Sequence, residues 1–152
     1  GFIRAEDMDR MPEGMEQVAF TTDHLVAVLP AKHPFAKKKA VSLGMLRNEK
    51  FLFLDKETSM YGICINACRE AGFEPDVAFT GFRGENLIDL AAKGMGVALL
   101  TRKPIGYAAG KEVVLADIEP RVTTFVSLVY PGKRRLSGAA RRFIDYVKNH
   151  EG

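Results

Sequence analysis

F-L-F-L-D-K-E-T-S-M-Y-G-I-C-I-N-A-C-R-E-A-G, Phe51 to Gly72, reads as a strand, a corner and a helix. Phe51 to Leu54 is an unbroken apolar run, the pattern of a strand buried on both faces of a sheet. From about Met60 to Ala71, the residues Tyr61, Cys64, Ile65, Cys68 and Ala71 recur at helical spacing, and Gly72 supplies the stop. The unit then repeats. Asp76 to Thr80 is a strand, Gly81-Phe82-Arg83-Gly84 a corner, and Glu85 to Lys93 a helix with Leu87, Leu90 and Ala91 on one face and Gly94 as its stop. Val97 to Leu100 is a further buried strand. Strands and helices that alternate in this way, with continuous apolar strands, predict a parallel α/β sheet covered on both faces.

Outward from this centre the pattern weakens. Downstream, Pro104, Gly106 and Gly110 mark a turn-rich segment, Val113 to Leu115 a short strand, and Thr123 to Tyr130 a weakly alternating one. Ser137 is placed to cap a helix to about Lys148 whose stripe is Ala140, Phe143, Ile144 and Val147. Upstream, Ser42 is placed to cap a short helix to about Leu46. Leu25 to Leu29 is a strand stopped by Pro30, Gln17 to Thr21 is extended, and Ala5 to Gly14 is a loop rich in acids and methionine. A compact α/β lobe then runs from about Ala40 to Asp117. The flanks hold one or two strands and one helix, too little for a core of their own, and read as part of a second lobe. Leu25 to Leu29 carries the chain out of that partial lobe, and Thr123 to Tyr130 carries it back.

The bulk numbers agree with a globular α/β protein. The chain has 152 residues, 47% hydrophobic and 27% charged, about one ordinary domain. A net charge of +3 is mild for a surface that grips nucleic acid, and no helix presents a basic face with base-reading residues. No apolar run approaches the roughly 18 residues of a membrane span, and no signal-peptide pattern opens the chain. Gly1 is followed at once by the apolar Phe2 and Ile3, as in the middle of a strand, so the chain reads as a fragment. Two cysteines are too few for a disulfide framework, which fits a reducing compartment.

Ligands of parallel α/β sheets bind beyond the carboxyl ends of the strands, where helix N-termini present free N–H groups and partial positive charge. Two such corners are legible at one end of the sheet. Asp55 to Ser59 offers the Thr58 and Ser59 hydroxyls, which can cap the helix or meet a carboxylate. Thr80 to Gly84 offers two glycines that admit a close backbone approach and Arg83 as a bidentate anion contact.

Other motifs carry less. Gly94-Met95-Gly96 follows a helix and precedes a strand, the reverse of a dinucleotide fingerprint, so Gly94 is a helix stop. Cys64 and Cys68, four apart on one helix, match neither a C-x-x-C redox site nor a zinc set, and read as small core residues. His24, His33 and His150 form no triad with a nucleophile, and no metal or cofactor site is expected. The clusters Lys37-Lys38-Lys39, Lys133-Arg134-Arg135 and Arg141-Arg142 read as solvated surface.

The motifs together resemble a family. Asp23 to Ala36 (D-H-L-V-A-V-L-P-A-K-H-P-F-A), Val41 to Leu46 (V-S-L-G-M-L), Phe51 to Asp55, Cys68 to Pro75, Leu87 to Arg102 and Arg134 to Tyr146 are similar, in order, to the effector-binding domain of LysR-type transcriptional regulators. The resemblance implies a periplasmic-binding-protein-like type II fold, with residues 30–122 as lobe two and 1–29 with 123–152 as partial lobe one and hinge strands. It implies a non-enzymatic, cytoplasmic sensor that binds a small organic effector between its lobes. Helix N-termini and Arg83 favour an anion. It further implies a homodimer or homotetramer that contacts DNA only through an N-terminal winged helix-turn-helix absent from this chain. Carried over by position, the effector contacts are Thr58, Ser59, Thr80, Phe82, Arg83 and Gly84, with Arg4 from lobe one. A transporter's solute-binding protein shares this physics, and an α/β enzyme with its catalytic residues upstream is a weaker alternative.

Overall fold

The computed structural model describes residues 2–4, 15–110, 112–131 and 138–149, with side chains described at 21–110, 112–125, 138, 140 and 142–146. The expected loop from Ala5 to Gly14, the Ser137 cap and the Lys133-Arg134-Arg135 cluster lie outside the described residues. The chain divides into two compact units, one formed by residues 1–23 with 123–152 and the other by His24–Val122.

Unit two is a mixed sheet with helices on both faces. Its parallel strands are β4 (Lys50–Leu54), β5 (Asp76–Gly81) and β6 (Val97–Thr101), with β4 in the middle. Next to β6 lies β2 (Met15–Pro30), antiparallel to it with Leu25 opposite Thr101. On the far side of β2 runs β7 (Val113–Ile118), also antiparallel, and β7 pairs in parallel with the two-residue β3 (Ala40–Val41). The sheet order is therefore β3-β7-β2-β6-β4-β5.

Strand side chains alternate between two cores because successive Cβ atoms point to opposite faces. Leu25, Ala27, Leu29, Phe51, Phe53, Val97 and Leu99 pack on one face with Met60, Cys64 and Cys68 of α1 (Ser59–Glu70). Val26, Val28, Leu52, Ala98 and Leu100 pack on the other with Leu87, Ile88 and Ala91 of α2 (Gly84–Ala92). With both faces covered, continuous apolar strands are what the architecture requires. Both helices end as the sequence predicts. Gly72 and Gly94 have φ of +96° and +77°, and paired 6→1 and 5→2 bonds close each helix: Phe73 and Gly72 amides to Cys68 and Arg69 carbonyls, Met95 and Gly94 amides to Leu90 and Ala91 carbonyls.

Three local expectations change. Leu43–Leu46 is a 3₁₀ turn and not an α-helix, and the Ser42 side chain makes no capping bond. Gln17 to Thr21 and Leu25 to Leu29 are one strand, β2. Within unit two, Leu25 to Leu29 pairs with β6 on one side and β7 on the other. The turn-rich segment contains a four-residue helix, α3 (Arg102–Ile105), and a 3₁₀ turn, Gly106–Ala108.

Unit one contains β1 (Phe2–Arg4), antiparallel to β8 (Thr123–Pro131), and α4 (Gly138–Asn149). Strand β8 neighbours β2. Within unit two, the Leu25 amide donates to the Val122 carbonyl at 2.9 Å. On α4, Ile144 is buried, whereas Phe143, placed by periodicity on the same stripe, is half exposed.

Candidate functional site

Because β4, β5 and β6 are parallel, their carboxyl ends lie at one edge of unit two, and the two corners meet there. The Asp55 amide donates to the Gly81 carbonyl at 2.9 Å, which joins the first corner to the second.

The first corner is largely satisfied from within. Thr58 is the N-cap of α1: its Oγ1 accepts from the Tyr61 amide at 3.4 Å and donates to the Asp55 carbonyl at 2.6 Å. The Asp55 carboxylate accepts from the Glu57 amide at 3.0 Å. Thr58 therefore acts as a cap, using both functions of its hydroxyl. Ser59, the first residue of α1, has no hydrogen-bond partner for its hydroxyl among the described residues.

The second corner is more open. Thr80 lies near the end of β5, with its hydroxyl also unpartnered among the described residues. Phe82 is 70% exposed and offers an apolar surface beside it. Gly84 opens α2, and a Cβ there would stand 3.6 Å from Leu100 Cδ1, so this helix start sits close over β6. Arg83 departs from expectation. Its side chain is 74% exposed and its Nη1 donates to Glu85 Oε1 at 3.2 Å. That pairing on the surface partly neutralises the cation and leaves it in water, where an ion contact is weak.

Sequence reading missed a third group at this edge. Arg102 directly follows Thr101, the buried last residue of β6, and its Nη1 is buried without a hydrogen-bond partner among the described residues. A lone arginine after an apolar strand carries no motif, so only the fold reveals its position. At the same edge His24 Nε2 lies 3.3 Å from Asp117 Oδ1, across the β2–β7 pair. Arg4 is the last residue of β1, in unit one, and its side chain lies outside the described residues.

The two cysteines are core residues. Cys64 Sγ points to the Leu99 carbonyl at 3.8 Å, and burial, helped by the charge of Glu74, pushes the Cys68 thiol up to about 11. Among the described residues, no group of three or more His, Cys, Asp or Glu is placed to hold a metal, and no helix is long and apolar enough to cross a membrane.

A family model described as LysR substrate binding domain matches residues 1–152. The chain belongs to this family. Its mixed sheet is that of the periplasmic-binding-protein-like type II domains in LysR regulators. The chain is 32% identical over 127 residues to the transcriptional dual regulator GltC of Bacillus subtilis, covering 83% of this chain and 42% of that protein. The structure of HinK, a LysR family transcriptional regulator from Pseudomonas aeruginosa, superposes with a TM-score of 0.81 at 27% identity, over 99% of this chain and 53% of HinK. The CcmR regulatory domain of Synechocystis, solved in complex with 2-PG, shares the fold with a TM-score of 0.80 at 20% identity, over 97% of this chain and 71% of that one. These relatives are transcriptional regulators and not transporter subunits. The LysR domain spans less than half the length of GltC.

Proposed function

We propose that this LysR domain is the sensor of a transcriptional regulator. It binds a small organic effector without chemical conversion, at the carboxyl edge of the unit-two sheet. Residues 30–122 serve as lobe two, and the remainder as partial lobe one with the hinge strands. DNA contact and assembly into a dimer or tetramer belong to the whole cytoplasmic protein. The effector acts by differential affinity: the lobe arrangement it fits better gains population.

The observation that carries the reading is the single edge on which Ser59, Thr80, Phe82, Gly84 and Arg102 converge in a domain that matches the family over its full length. An anionic effector is favoured. A buried donor without an acceptor costs about 1–3 kcal/mol, and a carboxylate or phosphate recovers it once the Arg102 side chain turns to the edge.

A thermal-shift panel of small carboxylates, phosphates, polyols and amines tests this, because binding to the native state raises stability by mass action. Anions raise the melting temperature of the wild type, and Arg102→Met removes the response while Arg83→Ala preserves it. A response confined to neutral or cationic compounds defeats the anion assignment. Silence from every class at concentrations up to about 10 mM defeats the sensor reading itself.

A further inference from the structure

A cavity of about 340 Å³ lies in unit two, apart from the ligand edge. It opens where the end of α1, the 3₁₀ turn at Leu43 and the connector from β7 to β8 meet. Ala67 on its wall is eight residues along α1 from Ser59, about 12 Å of helix.

The floor is apolar and buried, formed by Leu43, Ala67 and Ile118. The rim carries charge of both signs: Glu70 from α1, and Glu119 with Arg121 from the connector. All three are exposed, and none has an ion pair or hydrogen bond to its side chain among the described residues. The connector itself is fastened only at its ends. The Glu119 amide donates to the Val41 carbonyl at 2.9 Å, and the Val122 carbonyl accepts from Leu25 at 2.9 Å. Between them Pro120 and Arg121 make no hydrogen bond among the described residues, and both line the cavity.

We propose that this cavity is a second small-molecule site, which takes a compact zwitterion: an apolar body with an ammonium group and a carboxylate at one end. The apolar body fills the floor. The ammonium meets the two carboxylates, and the carboxylate meets the planar fork of Arg121, which matches it bidentately. The volume falls within the range of small-molecule sites, about 300–1,000 Å³. A bound molecule braces Pro120 and Arg121 between their two anchors, and so stiffens the segment that leads into β8. The site uses none of the groups at the sheet edge, so it stands or falls independently of the effector reading.

Three probes with one apolar body and different charge decide the matter: phenylalanine, phenethylamine and 3-phenylpropanoate, titrated into the protein by calorimetry. Phenylalanine binds tightest. Arg121→Gln weakens it about tenfold while leaving phenethylamine unchanged. The double substitution Glu70→Gln with Glu119→Gln weakens both. Ala71→Phe, at an exposed position on the cavity wall, fills the space and abolishes both. Four results overturn the proposal: no binding by any probe up to about 10 mM; 3-phenylpropanoate binding as well as phenylalanine; binding that survives Ala71→Phe; or phenylalanine binding lost with Arg102→Met, which places the molecule at the sheet edge instead.

Discussion

Replacing Gly96 with alanine strikes the packing of the central strands, and the cost can be worked from distances. Gly96 immediately precedes β6, and a Cβ there would stand 2.6 Å from the Lys50 carbonyl oxygen and 3.2 Å from Leu52 Cγ and Cδ2, all on β4. A carbon seldom approaches a carbonyl oxygen more closely than about 3.3 Å, so β4 or β6 must give by about 0.7 Å. The two strands are hydrogen-bonded neighbours in the middle of two cores, which leaves little room to give. Overpacking of this kind costs about 1–3 kcal/mol, and for a chain of this size each kcal/mol lowers the melting temperature by about 2–4 °C.

Two other glycines serve as controls. Gly62 lies in the interior of α1, and a Cβ there would meet nothing within 4 Å, so Gly62→Ala stabilises by about 0.5–1 kcal/mol. Gly94 also faces open space but has φ +77°, so Gly94→Ala costs about 1 kcal/mol, and Gly94→Asn costs less because asparagine tolerates that conformation. Urea unfolding followed by far-ultraviolet circular dichroism measures all four, with midpoints compared at constant m. If Gly96→Ala unfolds no earlier than wild type, the close approach is not a constraint and the reasoning fails.

Thr58→Ala removes the cap of α1 and is expected to cost about 1 kcal/mol in the same unfolding assay, while Thr58→Ser costs much less. His33 is expected to matter for stability and not for ligand binding. Its Nδ1 accepts from the Phe35 amide at 3.0 Å and its Nε2 meets the Glu49 carboxylate, so His33→Ala strands a donor and an acceptor and costs about 1–3 kcal/mol, whereas Glu49→Gln, which preserves an acceptor, costs less than about 1 kcal/mol. Cys68 is expected to resist thiol reagents at pH 8 in the folded protein and to react once urea unfolds it, read as thiol release with Ellman's reagent. Its raised pKa also sets a sign: stability is full below the thiol's ordinary 9.0, then falls as pH rises towards about 11, because the unfolded chain gives up that proton first. A Cys68→Ala variant should show a smaller fall over the same window.

The middle of the fold was legible because burial on both faces leaves a plain mark. Phe51 to Leu54 and Val97 to Leu100 are continuous apolar runs, and Gly72 and Gly94 both mark helix ends through positive φ. Where several weak terms compete, local pattern misleads. Ser42 satisfies the rule for a helix cap, yet the following turn is 3₁₀, because Val41 is held in a two-residue parallel pair with β7 and only four residues of turn lie between Ser42 and Arg47. Gln17 to Thr21 and Leu25 to Leu29 likewise read as two segments, since nothing local shows that one strand continues unbroken from Met15 to Pro30. At the site, the corners were visible as strand–turn–helix junctions. The satisfaction of each hydroxyl and guanidinium was not, because that depends on neighbours brought together only by folding.

Which of these groups are already satisfied decides what the edge can offer a ligand. Helix N-termini attract anions only insofar as their amides and caps remain unspent. In the first corner Thr58 and Asp55 already occupy the Tyr61 and Glu57 amides, and Asp55 adds a negative charge that opposes an incoming carboxylate. In the second, Glu85 holds Arg83 at the surface, while Thr80 remains unpartnered among the described residues. An anion entering this edge is therefore repelled by the corner with the better-formed cap and drawn towards Thr80, the start of α2 and Arg102. The Gly84 start of α2 lies close over Leu100, two residues before Arg102, so the attractive groups sit on adjoining segments. Asp55→Asn separates this view from simple attraction by helix N-termini. It preserves the acceptor for Glu57 and removes the charge, so anion affinity rises severalfold in the wild-type background, with no gain in Arg102→Met. An equal gain in both backgrounds would mean that Asp55 acts at long range and that Arg102 is not where the anion rests.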